Sequence, residues 1–453
     1  MTARVFLHQW WWPIYTAIYV LLFYPTFLIN PGANLSNVLS ESYSIRANAT
    51  LLFLAVGLIL EWAEHPKLRF RDARHLLRAL RQHPVVVLAL LYGLWSLVTA
   101  FFALEPIAAL LGSFFGSGDG ALFALAMVGV FLLVYLQTLR DPALPSRLAW
   151  SVVVSGIVMA LLALIEIVSR QGVFYPIHVA SLPMVTFPQK GHLAGFFVLV
   201  AGILLGFLRQ RSWIGLSALL VVSTALGTTF NRAALLALGV GVLLLAGKWR
   251  QMFVTGLVIC LGLSAGWLLV RTLNSEGERQ LINNTTAQTR LYMWKAAVRG
   301  ILERPLTGWG AGQFDTVWPR FLSRDELDKY AQMEWGVKRV RDVFLAPRAS
   351  PVLLVELADG KVAIQGISVW KAHNQFLDIG LLRGLVGLSF YLALFWYVIR
   401  SVSKFPPLAM GLIAYHAFLF LWFAPFHIEG TLWAVLGGAC ATGSLVGRRA
   451  DSV

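Results

Sequence analysis

Apolar residues in this chain gather into runs about as long as a bilayer is thick, with polar residues between the runs rather than alternating inside them. A helix needs roughly 20 apolar residues to cross about 30 Å of hydrocarbon, and somewhat fewer where it packs beside protein. Twelve stretches meet that requirement, near 10–29, 47–63, 85–104, 120–138, 148–168, 192–208, 213–229, 233–247, 252–270, 380–399, 406–425 and 430–446. The pattern predicts an all-α integral membrane protein of about 12 transmembrane helices. Residues 1–270 supply nine of them, 271–371 form one large loop that is partly helical, and 372–453 return three spans to the same membrane domain. The first stretch lacks a small-residue cleavage pattern and is expected to be a retained span.

Composition strengthens this reading. Of 453 residues 58% are apolar and 13% charged, against roughly 25% charged in ordinary globular domains. The two cysteines, Cys260 and Cys440, both fall inside spans and lie far apart, so neither a disulfide framework nor a thiolate metal site is expected. A net charge of +15 would suit nucleic acid only if the basic residues formed one patch with interleaved aromatics. They do not, and membrane lipids are the expected partner.

Lys and Arg instead fall on alternate connections. One side holds Arg4, Lys67, Arg69, Arg71, Arg74, Arg78, Arg81, Arg140, Arg147, Arg209, Arg211, Lys248, Arg250, Arg400, Lys404, Arg448 and Arg449. The short loops opposite hold Arg46, Arg170, Lys190 and Arg232. Basic loops stay cytoplasmic, so both termini are expected in the cytoplasm and 271–371 outside. Within 67–81, Ala73, Leu76, Leu77 and Leu80 share one helical face and Arg71, Arg74, Arg78 and Arg81 the opposite one. Such a segment sets orientation or lies on anionic lipid.

About 100 residues is far more than a connection between spans requires, and candidate chemistry gathers in and around this loop. Thr285 with Gln288 has capping-box spacing, and Leu291, Trp294, Val298 and Ile301 then repeat at helical intervals until Pro305. Arg290 stands one turn before Trp294. Arg232 lies between two apolar stretches in Thr228-Thr229-Phe230-Asn231-Arg232. It can snorkel or pair with a carboxylate such as Glu166 or Glu429, or its planar fork can clamp phosphate. His373, in Lys371-Ala372-His373-Asn374-Gln375-Phe376-Leu377, has the side chain best suited to proton transfer near neutral pH. His178, His192, His416 and His427 show no i, i+4 pairing, so no metal site and no cofactor are expected.

The run Thr289-Arg290-Leu291-Tyr292-Met293-Trp294-Lys295-Ala296-Ala297, continuing through Pro305-Leu306-Thr307-Gly308-Trp309-Gly310, resembles the loop signature of the O-antigen ligase and polymerase superfamily. His373-Asn374-Gln375-Phe376-Leu377 followed by Gly384-Leu385-Val386-Gly387 is similar to its return element. Thr229-Phe230-Asn231-Arg232 resembles its membrane element, with Asn231 in place of the usual Ser. The resemblance implies a GT-C-like membrane fold in the bacterial inner membrane, with an active site facing the periplasm. It implies an undecaprenyl-diphosphate-linked glycan as donor and a lipid A-core oligosaccharide or other acceptor.

Carried over, it makes Arg232 and Arg290 binders of the diphosphate and His373 the base. Asn374, Trp294, Lys371 and Asn231 become substrate-binding neighbours. Where many relatives have an acidic residue before the Gly pair, this chain has Leu382-Arg383. A single dominant loop favours a ligase over a polymerase, which more often carries two large loops; 170–191 is modest. Transfer to a protein hydroxyl is a third variant. A transporter should carry its charges near the bilayer midplane, where only Glu166 lies well inside a span.

Overall fold

The computed structural model describes residues 3–23, 35–64, 82–112, 120–174, 182–187, 189–209, 214–245, 248–273, 285–344, 352–367, 369 and 371–445. The helices are α1 (Ala3–Leu21), α2 (Leu35–Glu64), α3 (Pro84–Ala100), α4 (Pro106–Leu111), α5 (Ala121–Arg140), α6 (Leu144–Ser169), α7 (Lys190–Leu208), α8 (Ile214–Gly227), α9 (Arg232–Leu243), α10 (Trp249–Leu273), α11 (Thr285–Glu303), α12 (Phe314–Val317), α13 (Arg324–Trp335), α14 (Gln375–Ser401), α15 (Pro406–Leu419) and α16 (Phe426–Leu445). Each of the twelve apolar stretches overlaps a helix, and six described helices are long and apolar enough to cross a membrane. This is a multi-pass membrane protein. The basic segment 67–81 lies outside the described residues.

Contacts between helix ends gather them at two faces. His8, Glu61 and Arg140, from α1, α2 and α5, meet at one face, with Arg140 paired to Glu61 and His8 Nε2 3.7 Å from Glu61 Oε1. Trp150 stacks on Phe207 at 4.6 Å, bringing the end of α7 to the start of α6, and Lys248 Nζ donates to the Arg209 carbonyl at 2.9 Å. At the opposite face Thr186 Oγ1 donates to the Val20 carbonyl at 2.7 Å. There Glu166, expected well inside a span, sits in the last turn of α6 and accepts the backbone N–H groups of Val173, Met184 and Val185 at 2.9–3.0 Å. A carboxylate buried with three donors is stable because each hydrogen bond replaces one lost to water.

α7 is sheathed by protein along its whole apolar window, whereas only 22% of the α2 window and 28% of the α10 window is covered. Small residues let α7 and α15 approach closely: a Cβ on Gly202 would stand 2.7 Å from the Gly411 Cα. Arg46, expected in a short loop, is wholly buried inside α2 and donates to the Leu22 carbonyl. The reason is that α2 begins at Leu35, twelve residues before the apolar stretch at 47.

α14 is broken at Gly384, whose φ of 67° and ψ of 179° lie in a region that only glycine adopts readily. The break frees backbone groups, and the turn after α11 satisfies them. Trp309 N and Gly310 N donate to the Leu381 and Leu382 carbonyls at 2.9 Å, and Leu385 N donates to the Pro305 carbonyl at 2.7 Å. Trp95 Nε1 donates to the Arg383 carbonyl at 2.8 Å. The Gly-rich run after Pro305 is thus a plug for an interrupted helix.

The loop 271–371 departs from the helical expectation in carrying a three-stranded antiparallel sheet, β1 (Arg339–Phe344), β2 (Val352–Glu356) and β3 (Val362–Gly366), in the order β1-β2-β3. Val343 pairs with Leu353 and Val355 with Ala363, with a register shift between Val340 and Asp342. Trp318, Tyr330, Val340 and Leu353 fill its core. α11 begins at Thr285 and ends at Glu303, as Pro305 predicts. The capping box is Ser323 with Glu326 at the start of α13, and Glu326 also pairs with Lys295 and Arg299 of α11.

A Cβ at position 384 would lie 2.0 Å from the Leu306 carbonyl oxygen. Gly384→Ala should therefore destabilise by at least about 1–3 kcal/mol from backbone strain alone. Its melting temperature in detergent should fall, while Gly366→Ala, with nothing within 4 Å, should leave it unchanged.

Candidate functional site

The connection 420–425 between α15 and α16 is stapled to the start of α14. Asn374 Nδ2 donates to the Phe420 carbonyl at 2.9 Å, Gln375 N to the Trp422 carbonyl at 3.0 Å, and Ala424 N to Gln375 Oε1 at 2.8 Å. Asn374 Oδ1 also accepts Phe376 N and Leu377 N at 3.0 Å. The Asn374 amide, expected at the substrate, is an N-cap that holds this connection in place.

The return segment 371–374 is pinned as tightly. Trp294 Nε1 of α11 donates to the Ala372 carbonyl at 2.9 Å, and Ala372 N donates to Asp378 Oδ1 at 2.7 Å. Between these pins and the helix cap, His373 is held at φ 54°, a left-handed conformation that residues other than glycine seldom adopt. Strain of this kind persists only where the surroundings over-determine it.

Two expected site residues then meet on one aromatic wall. Arg290 Cζ stands 5.1 Å from the centre of the Trp422 ring, and the His373 ring meets the same indole edge-on at 5.0 Å. Phe423 meets His373 at 5.3 Å. Arg290 Nε is buried without a hydrogen-bond partner among the described residues. A guanidinium keeps its proton even where burial works against its charge, and burial does lower the Arg290 pKa. The result is an oriented cation with an unanswered donor.

His373 Nδ1 lies 3.2 Å from the Lys371 carbonyl. A carbonyl can only accept, so Nδ1 carries the proton and Nε2 presents a lone pair. Burial first, then the charge of Arg290, pushes the His373 pKa down to about 3, while the bond to Lys371 works the other way. The imidazole is therefore neutral at ordinary pH, with its Nε2 lone pair unprotonated and only weakly basic while Arg290 is unneutralised.

Arg232 is placed differently. It stands exposed in the first turn of α9, capped by Asn231, whose side chain accepts Ala234 N at 3.2 Å. Gly241, nine residues on, packs against Leu205 and Ala414. That spacing carries Arg232 roughly 13 Å toward the face where α7 begins and α15 ends. Arg232 thus shares the end of the bundle that holds Arg290 and His373.

Lys371 is buried and lines a cavity of about 30 Å³ behind the return segment, together with Asp378, Arg383, Glu429, Tyr92 and His416. That volume suits a water molecule. Arg383, where an acidic residue was the family expectation, donates from Nε to Ser96 Oγ at 2.9 Å and lies over Tyr92 at 5.5 Å.

No family model and no curated protein sequence matches the chain. His192 and His427, which show no helical pairing in the sequence, come together beside the site, their rings 5.4 Å apart and His192 also meeting Phe423 at 5.5 Å. Among the described residues no three His, Cys, Asp or Glu side chains are grouped to hold a metal ion. Two rings from helices far apart in sequence leave no local spacing to read.

The charge of Arg290 lowers the His373 pKa, so removing it must raise that pKa, though burial will still hold it below the usual 6.5. In Arg290→Gln the His373 titration midpoint, followed by nitrogen NMR on histidine-labelled protein, should move upward. An unmoved midpoint would leave burial as the sole cause.

Proposed function

We propose that the chain is a membrane glycosyltransferase that moves a glycan from undecaprenyl diphosphate to a hydroxyl of a lipid A-core oligosaccharide, as an O-antigen ligase. In this reading twelve helices cross the bacterial inner membrane in a GT-C-like arrangement. Both termini lie in the cytoplasm, and the loop 271–371 faces the periplasm. The observation that carries the reading is the pairing of Arg290 and His373 on Trp422, an anion clamp beside a neutral proton acceptor.

The chemistry balances with these groups. The acceptor oxygen attacks the anomeric carbon while its proton passes to His373 Nε2. The bond from that carbon to the diphosphate oxygen breaks, and its electron pair leaves with the diphosphate. Direct displacement inverts the anomeric configuration. Fixed guanidinium groups stabilise the growing negative charge without reorganising, and Arg232 shares this role from the same end of the bundle. Because Arg290 depresses the His373 pKa in addition to burial, the larger cause, an anion bound to Arg290 returns part of the proton affinity to the imidazole. The base is therefore strengthened by donor binding.

The test is to incubate purified protein with undecaprenyl-diphosphate glycan and, separately, lipid A-core, a second donor molecule, or a peptide bearing Ser and Thr. Product on lipid A-core alone supports the ligase. Product on the second donor or on the peptide moves the assignment to a polymerase or a protein glycosyltransferase, and none at all removes glycosyl transfer.

His373→Ala should lower the rate by about 10²–10⁴ and Arg290→Ala by about 10²–10³, both with normal expression and membrane insertion. Normal transfer by both variants would defeat the assignment. Arg232→Lys keeps the charge but loses the fork, and transfer by it should also be impaired.

A further inference from the structure

α11 has two unlike faces. Met293, Ala296 and Ala297 are buried against the loop core, while Leu291, Val298 and Leu302 on the opposite side are 60%, 44% and 74% exposed. Their spacing of seven and then four residues places them in one stripe. Leu306, just past the helix, is 63% exposed and extends it. Lys295 and Arg299 border the stripe on one side, both paired with Glu326, and Arg290 borders it on the other. Large exposed apolar side chains in a continuous stripe mark a contact surface rather than a solvated one.

The fold shows what lies beside that stripe. Arg304 Nη1, one residue past α11, donates to the Phe102 carbonyl at 2.8 Å, and Leu385 N takes the Pro305 carbonyl. Phe101 and Phe102 directly follow α3, and Leu385 opens the second half of α14; all three are exposed. Phe101 continues the exposed stripe of α3 through Leu91, Leu94 and Val98, and Leu385 begins that of α14 through Leu392, Trp396 and Ile399. The outward apolar face of α11 is therefore continuous with the apolar faces that two apolar helices, one of them long enough to cross a membrane, turn away from the protein.

We propose that α11 is an interfacial helix: it lies along the membrane surface with Leu291, Val298, Leu302 and Leu306 in the boundary between headgroups and acyl chains. Its partner is the phospholipid leaflet itself. An amphipathic helix seats this way when an apolar stripe is flanked by cations that meet lipid phosphates. Arg290, on the flank of the stripe, then stands at headgroup depth. The inference is independent of glycosyl transfer, since it concerns only where the helix rests.

The test uses full-length protein in vesicles of phosphatidylethanolamine and phosphatidylglycerol. In a Cys260→Ser background, which leaves only the buried Cys440, a single cysteine is placed by Leu302→Cys, Val298→Cys or, on the exposed side of α13, Lys329→Cys. Each is labelled with an environment-sensitive fluorophore. Labels at 298 and 302 should emit to the blue of the label at 329 and be quenched by lipids spin-labelled near the headgroup. Emission at 298 and 302 that matches 329 would overturn the proposal. So would blue emission without lipid quenching, which would show protein covering the stripe. The two positions on α11 guard against one label disturbing the fold.

Discussion

Everything near the candidate site depends on satisfying a broken backbone in a place with little water. A helix interrupted inside a membrane domain exposes N–H and C=O groups that cannot be left without partners. In this chain the debt falls at Gly384, and the turn from Pro305 to Gly310 answers it with backbone groups of its own. The exchange is reciprocal, since it fixes the loop as firmly as it stabilises the helix. α11 begins some twenty residues earlier on the same covalent path, so the position of Arg290 is inherited from this junction.

From that junction the site assembles by a second set of backbone contacts. Asn374 and Gln375 hold the 420–425 connection, Trp294 and Asp378 hold Ala372, and His373 is left in a strained conformation beside Trp422. Each of these groups holds backbone through a hydrogen bond. Their work is geometric, and it explains why a loop residue and a helix-start residue can face one another across so many intervening residues.

The membrane character and the positions of the apolar helices were legible because hydrophobic run length is a one-dimensional signal. Arg290 and His373 were legible as residue types at recognisable places. Their shared wall was not, because Trp422 reaches it through a connection whose anchoring needs Asn374 and Gln375 together. The sheet at 339–366 left a signal that went unread: Val340 and Val343 among charged residues, and Asp359-Gly360, where Leu357 N bonds the Lys361 carbonyl at 2.8 Å. Asp-Gly between apolar runs is a strong hairpin signature. The capping box at Ser323 and Glu326 has the same spacing signature, Ser with Glu three residues on. Arg46 was misplaced because a polar helix extension looks like a loop when only hydrophobicity is counted.

The unequal sheathing of the helices has a consequence for how this protein can change over evolutionary time. A helix such as α2 or α10, turned mainly to lipid, is constrained by solubility in hydrocarbon, so one aliphatic side chain can replace another there with little effect. α7 is constrained by shape on every side, down to hydrogen atoms where Gly202 meets Gly411. Substitutions should therefore accumulate at the rim of the bundle and be rare along its axis, so that the axial helix keeps the record of ancestry longest.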